Sequence, residues 1–314
     1  MLRYLLGRLL TTIPTLFLVS FGVFALIRLV PGDPIVVMLG DAADPETVSV
    51  LREAYGLDRP LVTQYGLWLW RAAGGDFGQS ITNGAEVLPL IVSRFQVSAT
   101  IVLLAVSLAA LIAVPLGMVA AWRQNSATDV AVVAGATLLL SIPSFWLGLI
   151  LLLVFGLKLG WVPVIGYVSF ADDWGLALAY IALPVATLVL VEIGTLTRMA
   201  RASTVEVLRL EYITHARAKG ASELAVLARH ALPNAFAPTW TLIGLLLGNL
   251  LGGIAVVETV FTLPGLGRLL VDAIFARDYP LIQGCLLFTA AIYVLVNLLV
   301  DLCYPLFDPR VATE

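Results

Sequence analysis

Residues Phe95–Trp122 read FQVSATIVLLAVSLAALIAVPLGMVAAW, 28 residues without one charge. As a helix rising about 1.5 Å per residue they reach about 42 Å, more than the ~30 Å hydrocarbon core of a bilayer. Such a segment crosses with tilt or protrudes at its ends. Strands of a membrane barrel would instead alternate in segments of ~10 residues. Working outward, the chain repeats this pattern in Leu9–Ile27, Val130–Leu157, Trp174–Val191, Ala231–Val257 and Tyr279–Val300. Six charge-free windows predict an all-α integral membrane protein with six transmembrane helices. The composition agrees: 60% of the 314 residues are apolar and 12% charged, where soluble domains run near one-quarter charged.

An even number of spans puts both termini on one face. With the N-terminus inside, the cytoplasmic side carries ten Lys and Arg and the exterior eight. Four of those eight sit in the 64-residue loop Pro31–Arg94, and long loops translocate largely regardless of charge. Six of the ten sit in Arg198–Arg229. The expected topology is therefore N-in and C-in. Residues 1–30 form the cytoplasmic N-terminus and first helix, and residues 31–94 an exterior loop. Residues 95–310 form the core, with spans at about 95–122, 130–157, 174–197, 231–257 and 279–300 and a cytoplasmic loop at 198–230. No small-residue cleavage site follows Arg28, so the first window is expected to be retained.

Within the exterior loop, Asp44-Pro45-Glu46 reads as an N-cap, a proline at the first helical position and a first-turn acid. Gly56 is expected to end that helix. From Pro60 onward, Leu61, Tyr65, Trp68, Leu69 and Trp70 make an amphipathic stretch. It either lies at headgroup level or packs as a small cap on the bundle. The spans carry Pro14, Pro115, Pro143, Pro184 and Pro238, each of which removes a helical hydrogen bond and bends its helix.

The cytoplasmic loop differs in kind. It is rich in Ala, Arg and Glu, good helix formers, and predicts two or three short helices outside the bilayer. Gly220 punctuates it and Ser222-Glu223 can start a new helix. Ala216, Ala218 and Gly220 present small side chains that let the backbone sit close inside a partner's groove, with Arg217 and Lys219 around the contact. Alternatively the loop is a solvated basic segment that only enforces topology.

Few residues in the spans carry chemistry. Glu192 interrupts span four, and an ionisable group left in lipid costs at least ~2.5–3.5 kcal/mol. It either faces a solute pathway or is hydrated or paired near the cytoplasmic interface. Asn249 and Asn297 either line the pathway or bond between helices. Gly244, Gly248 and Gly252 recur every fourth residue, a stripe for close helix packing with a partner chain or within this one. Cys285 and Cys303 lie about 27 Å apart along one helix, too far for a bridge. His215 and His230 lack metal-ligand spacing, and no catalytic constellation is legible. Lysine occurs only as Lys158 and Lys219, so there is neither a nucleic-acid surface nor a G-x-x-x-x-G-K-[ST] phosphate loop.

Glu211-Tyr212-Ile213-Thr214-His215-Ala216-Arg217-Ala218-Lys219-Gly220, followed by His230-Ala231-Leu232-Pro233-Asn234-Ala235, resembles the EAA loop of ABC-importer permeases. It is similar to the dipeptide, oligopeptide and nickel permease family, and to its first-permease branch. Met1-Leu2-Arg3-Tyr4, Pro31-Gly32-Asp33-Pro34, Gly56-Leu57-Asp58-Arg59-Pro60-Leu61, Gly75-Asp76-Phe77-Gly78 and Ile142-Pro143-Ser144-Phe145-Trp146 match in order. So do Glu258-Thr259-Val260-Phe261, Pro264-Gly265-Leu266-Gly267-Arg268, Arg277-Asp278-Tyr279-Pro280 and Asp308-Pro309-Arg310. Tyr212 and Ile213 stand where the motif usually has two alanines.

This resemblance implies a permease subunit in a bacterial or archaeal cell membrane, the inner one in a Gram-negative cell. Its partners would be a second homologous permease, two cytoplasmic ATP-binding subunits and an extracytoplasmic solute-binding protein. ATP and magnesium would sit on the ATPase subunits. Glu211, Ala216, Arg217, Ala218, Lys219 and Gly220 would couple to them. Di- or oligopeptides are the expected cargo, with nickel, glutathione or another small solute as the alternative. A secondary transporter or channel is the rival of another class, but no inverted repeat or paired charge within the spans supports it.

Overall fold

The computed structural model describes residues 2–29, 35–36, 44–54 and 57–304. Gly56 and the motifs Pro31-Gly32-Asp33-Pro34 and Asp308-Pro309-Arg310 lie outside the described residues. Helix α1 covers Leu2–Leu29, α2 Pro45–Ala54, α3 Leu61–Ala73 and α4 Val87–Trp122. Next come α5, Ala127–Ser141, and α6, Ser144–Lys158, whose second half is π-helical. Then follow α7, Trp174–Leu208, α8, Glu211–Ala218, and α9, Glu223–Gly253. Helices α10, Ala255–Val260, α11, Leu266–Phe275, and α12, Tyr279–Cys303, complete the order. Among the described residues the one extended pairing is a bridge between Gln79 and Glu86.

Local chemistry accounts for many of the helix starts. Asp44 Oδ1 accepts from the backbone N–H groups of Glu46 and Thr47, both at 3.0 Å, and Pro45 follows at the first helical position. Ser126, Asp173, Ser222 and Asp278 cap α5, α7, α9 and α12 in the same way.

Four helices, α4, α7, α9 and α12, are long and apolar enough to cross a membrane, and the pair α5–α6 makes a fifth. Helix α1 adds a shorter apolar stretch, Leu10–Leu26. Several bounds differ from the sequence expectation. The third window is no single tilted rod, because α5 and α6 meet at 96°. Ile142, held extended at φ −90° and ψ 122°, precedes Pro143, the conformation a proline imposes on its predecessor. Pro14, Pro115, Pro184 and Pro238 all sit inside continuous helices. Helix α7 runs on to Leu208, so the loop expected at 198–230 begins as an extension of a span. Helix α9 stops at Gly253, and Ala255–Val260 forms a separate helix rather than the end of span five.

The main core lies between α4, α7 and α9, where Ile101, Val102, Ala105, Val106, Leu188 and Leu196 are buried together. A second cluster, a cap at one end of the bundle, joins Val87 and Ile91 of α4 to Leu266 and Ala273 of α11 and Leu281 and Cys285 of α12. Asp278 locks this cap. Its Oδ2 accepts from Ser80 Oγ at 2.5 Å and Thr82 Oγ1 at 3.0 Å. Burial raises the Asp278 carboxyl, but hydrogen bonds from Ser80, Ile81 and Thr82 outweigh it and hold the group below the usual carboxylate range.

Candidate coupling surface and solute pathway

Helix α8 is bound to the rest of the chain by one narrow face. Ile213 and Ala216, three residues apart, are buried, while the other residues from Glu211 to Gly220 are exposed. Ile213 packs in a cluster with Met118 of α4, Val207 of α7 and Val226, Leu227, Ala231 and Ala235 of α9. Tyr212 Oη donates to the His230 carbonyl at 3.1 Å. Partial desolvation of that phenol, which stays exposed on one side, raises its pKa above the ordinary value.

Both ends of α8 follow from its sequence. Glu211 lies in the first turn and His215 and Arg217 in the last, each matching the helix dipole. Gly220 adopts φ +83°. Its N–H donates to the Arg217 carbonyl at 2.9 Å, and the Ala221 N–H donates to the Ala216 carbonyl at 3.2 Å. These two bonds make a Schellman ending, which requires a left-handed residue at the glycine position. Arg217 then pairs with Glu223 through both carboxylate oxygens, at 2.9 and 3.1 Å. Both partners are exposed, so this pair orients the segment more than it stabilises it.

One sequence expectation needs correction here. Ala216 is not among the small side chains available to a partner; it is 9% exposed and turned towards this chain's own interior. The helical period places it three residues after Ile213, on the same face. Glu211, Arg217, Ala218, Lys219 and Gly220 do lie outward. A tie not foreseen in the sequence joins α5 to α7. Arg201 of α7 meets Asp129 of α5 in a bidentate pair, Nε to Oδ1 at 2.5 Å and Nη2 to Oδ2 at 2.7 Å. The Asn125 N–H donates to the same carboxylate at 2.9 Å. No local signal in the sequence links these residues, 72 positions apart.

The three pathway candidates do not form one site. Glu192 sits midway along α7, 7% exposed, with no hydrogen bond among the described residues. Asn249 lies on an open face of α9 with Pro238, Thr241 and Leu245. Asn297 donates to the Tyr293 carbonyl at 2.9 Å. It lines a groove of about 560 Å³ between α1, α9 and α12, together with Thr12, Thr15 and Asp301. At the α5–α6 break, Ser141, Pro143, Phe145 and Trp146 are exposed. The Ile142 carbonyl there accepts no hydrogen bond among the described residues.

The glycine stripe of α9 faces α12 of the same chain. A methyl group at 244 would come within 2.5 Å of Val300, and one at 248 within 2.7 Å of Tyr293. At 252 the contact with Thr289 would be an ordinary 3.6 Å. Trp240 Nε1 adds a hydrogen bond to the Val300 carbonyl at 3.2 Å.

Glu258 is the buried acid whose role the sequence did not reveal. It is fully buried in α10. Ser98 Oγ of α4 donates to its Oε1 at 2.5 Å, and the Arg268 N–H donates to Oε2 at 2.7 Å. The Leu266 N–H donates to Ser98 Oγ at 2.8 Å. The carboxylate thus caps the N-terminus of α11 from outside that helix. An acid in an apolar run, followed by Gly265-Leu266-Gly267, was the available signal.

Comparison with known proteins sets these features in context. The family described as binding-protein-dependent transport system inner membrane component matches residues 113–313, and its N-terminal companion matches residues 1–105. A Brucella suis permease protein, named for a peptide transport system, is 42% identical over 99% of each chain. The glutathione transport system permease protein GsiC of Escherichia coli K12 is 40% identical over 99% of each chain. Among solved structures, the MetNI methionine ABC transporter has a chain that superposes with a TM-score of 0.56 at 17% identity, covering 69% of this chain and 96% of that one. That last likeness concerns the fold alone.

Proposed function

This chain belongs to the binding-protein-dependent transport system inner membrane component family and is a permease subunit of an ABC importer, and from that premise we propose how it is driven and what it carries. It crosses the cell membrane six times, with both termini in the cytoplasm, α1 being the first span. In a Gram-negative cell this is the inner membrane. A second, homologous permease completes the pathway, and a solute-binding protein delivers cargo from outside.

The chain has no ATPase site of its own. Its two lysines lie outside any phosphate-loop pattern, so two cytoplasmic ATP-binding subunits supply ATP and magnesium. The observation that carries the coupling assignment is the geometry of α8. One face, Ile213 and Ala216, is anchored in the chain's own core, while Glu211, Arg217, Ala218 and Lys219 remain outward. A short helix fixed behind and open in front is suited to pass a partner's movement to the spans. Exposed Leu210, Tyr212 and Leu224 extend the contact beyond the charged residues.

The test is uptake of labelled peptide by vesicles holding the assembled importer. Ala218→Trp and Gly220→Val are expected to reduce ATP-driven uptake at least ten-fold, with the chain inserted at its normal level. Normal uptake in both variants would remove the docking assignment.

Peptides are the proposed cargo, on the strength of the 42% identical relative named for peptide transport. Glutathione, itself a tripeptide, is a second reading because the Escherichia coli relative is named for it. Melting shifts of the cognate binding protein with peptides, glutathione and nickel chelates distinguish them. A shift with nickel alone would overturn the peptide assignment. Glu192, Asn249 and the exposed α5–α6 break are candidates to line the path. Non-helical backbone at membrane depth is tolerated where it meets protein or a water-filled cavity.

A further inference from the structure

The loop between the first two apolar windows contains a helix, α3, that packs on the apolar stretch of α1. Tyr65 of α3 touches three rings of α1, with centroid separations of 5.7 Å to Phe17, 5.7 Å to Phe21 and 5.3 Å to Phe24. Its hydroxyl is 2.8 Å from Ser20 Oγ. Trp68 lies tilted against Phe24, with ring centroids 5.9 Å apart. All four α1 residues belong to the apolar stretch Leu10–Leu26. Ser20 lies eight residues before Arg28, about 12 Å along the helix. Arg28 itself reaches back, over the Phe24 ring at 3.9 Å and to Gln64 Oε1 at 2.7 Å.

The other side of α3 is apolar and uncovered. Val62 is 83% and Trp70 81% exposed, with Gly66 and Leu67 between them also exposed. On α1, Ile13, Phe17, Leu18 and Phe21 are exposed too, and Phe17 and Phe21 are rings that Tyr65 touches, so α3 seats at the open apolar surface of α1. Arg59 and Arg71 flank α3 at its two ends and are exposed. Basic groups at both ends of an apolar helix can reach lipid phosphates while the ring-bearing face stays in the acyl region.

We propose that α3 is an interfacial helix embedded in the outer leaflet, its Val62–Trp70 face in contact with lipid and its Tyr65–Trp68 face clasping α1. The reading rests on α1 being the first span. The occupant is lipid because α3 seats against rings that the apolar stretch of α1 leaves exposed, and its own Val62–Trp70 side is exposed and mainly apolar as well. An aqueous setting would leave Val62, Leu67 and Trp70 as an unpartnered apolar patch. Such a helix brackets the first span from outside and resists its sliding along the bilayer normal.

Spin labels placed singly at Val62→Cys, Trp70→Cys and Leu18→Cys test this. The background carries Cys285→Ala and Cys303→Ala, in the assembled importer, in vesicles of phosphatidylethanolamine and phosphatidylglycerol. Power saturation with oxygen and with a water-soluble nickel chelate gives the depth of each label. Uptake by each labelled variant is measured first, to establish that the complex is intact. Positions 62 and 70 are expected to favour oxygen over nickel, as position 18 does. If 18 favours oxygen but 62 and 70 favour nickel, the interfacial placement fails while α1 stays a span. Shielding of 62 and 70 from both reagents would mean a protein partner covers the face and would equally overturn the lipid assignment. Nickel access at 18 would overturn the span reading and this inference together.

Discussion

The carboxylate of Glu258 occupies the space that any side chain on Gly265 would need. A methyl group at 265 would overlap its Oε1 and carboxyl carbon, so the glycine is demanded by close approach rather than by backbone torsion. This is what the segment Glu258 to Arg268 accomplishes: it folds α11 back so that its first turn receives a buried acid.

Gly265→Ala is expected to lower the stability of this cap by about 2–3 kcal/mol, since acid or backbone must move. Ser98→Ala leaves both the Leu266 N–H and one carboxylate oxygen short of a partner, costing about 1–3 kcal/mol. Thermal melting of the purified complex in detergent measures both. A Gly265→Ala protein that melts with the wild type would refute the overlap.

The glycine stripe gives a graded prediction. Gly244→Ala pushes a methyl group against Val300 and Gly248→Ala one against Tyr293, so each should cost about 1–3 kcal/mol. Gly252→Ala meets Thr289 at an ordinary distance and should change stability by no more than about 0.5 kcal/mol. Equal melting shifts for all three would show that α9 and α12 do not meet at this register.

Asp278 predicts a dependence on pH. Its folded pKa is depressed, so its carboxylate stabilises the cap above the unfolded value of about 3.9. That contribution is lost as pH falls through the folded value. Asp278→Asn should therefore be most destabilising at neutral pH, and its deficit should shrink on acidification below about pH 4. Melting both proteins from pH 7 downward is the check, and a constant deficit would exclude the carboxylate as its source.

Asp129 and Arg201 should be strongly coupled. Asp129→Asn or Arg201→Gln alone strands a charge in a largely buried place and should cost about 2–3 kcal/mol. The double variant should cost less than the sum, with a coupling of about 1–3 kcal/mol. Additivity in a double-mutant cycle would contradict the bidentate contact.

Where the chain's reading depends on neighbours a few residues apart, the sequence was legible. Asp44 and Ser222 cap the helices expected of them, and Gly220 ends α8, because caps and left-handed turns are satisfied within one turn of backbone. The apolar windows are equally local, being sums over consecutive side chains. They mark where helices cross without saying where they stop, so α7 runs on to Leu208 and α9 stops at Gly253.

What depends on residues far apart could be decided only by the tertiary structure. Five prolines carry the same local penalty, yet only at Pro143 does the chain turn through 96°. There α6 is held aside by α10, with Gly148 so close to Phe261 that a methyl group would come within 3.1 Å. Ala216 turns inward because it shares the helical face of Ile213, which fills an apolar pocket built by α4, α7 and α9 behind α8. Ser98 and Glu258 meet across 160 residues. Apolar content and local capping determined that this chain crosses a membrane as helices and presents a short helix between two of them. Which side of that helix is free, and which acid is locked inside, follows from long-range packing that no window of sequence contains.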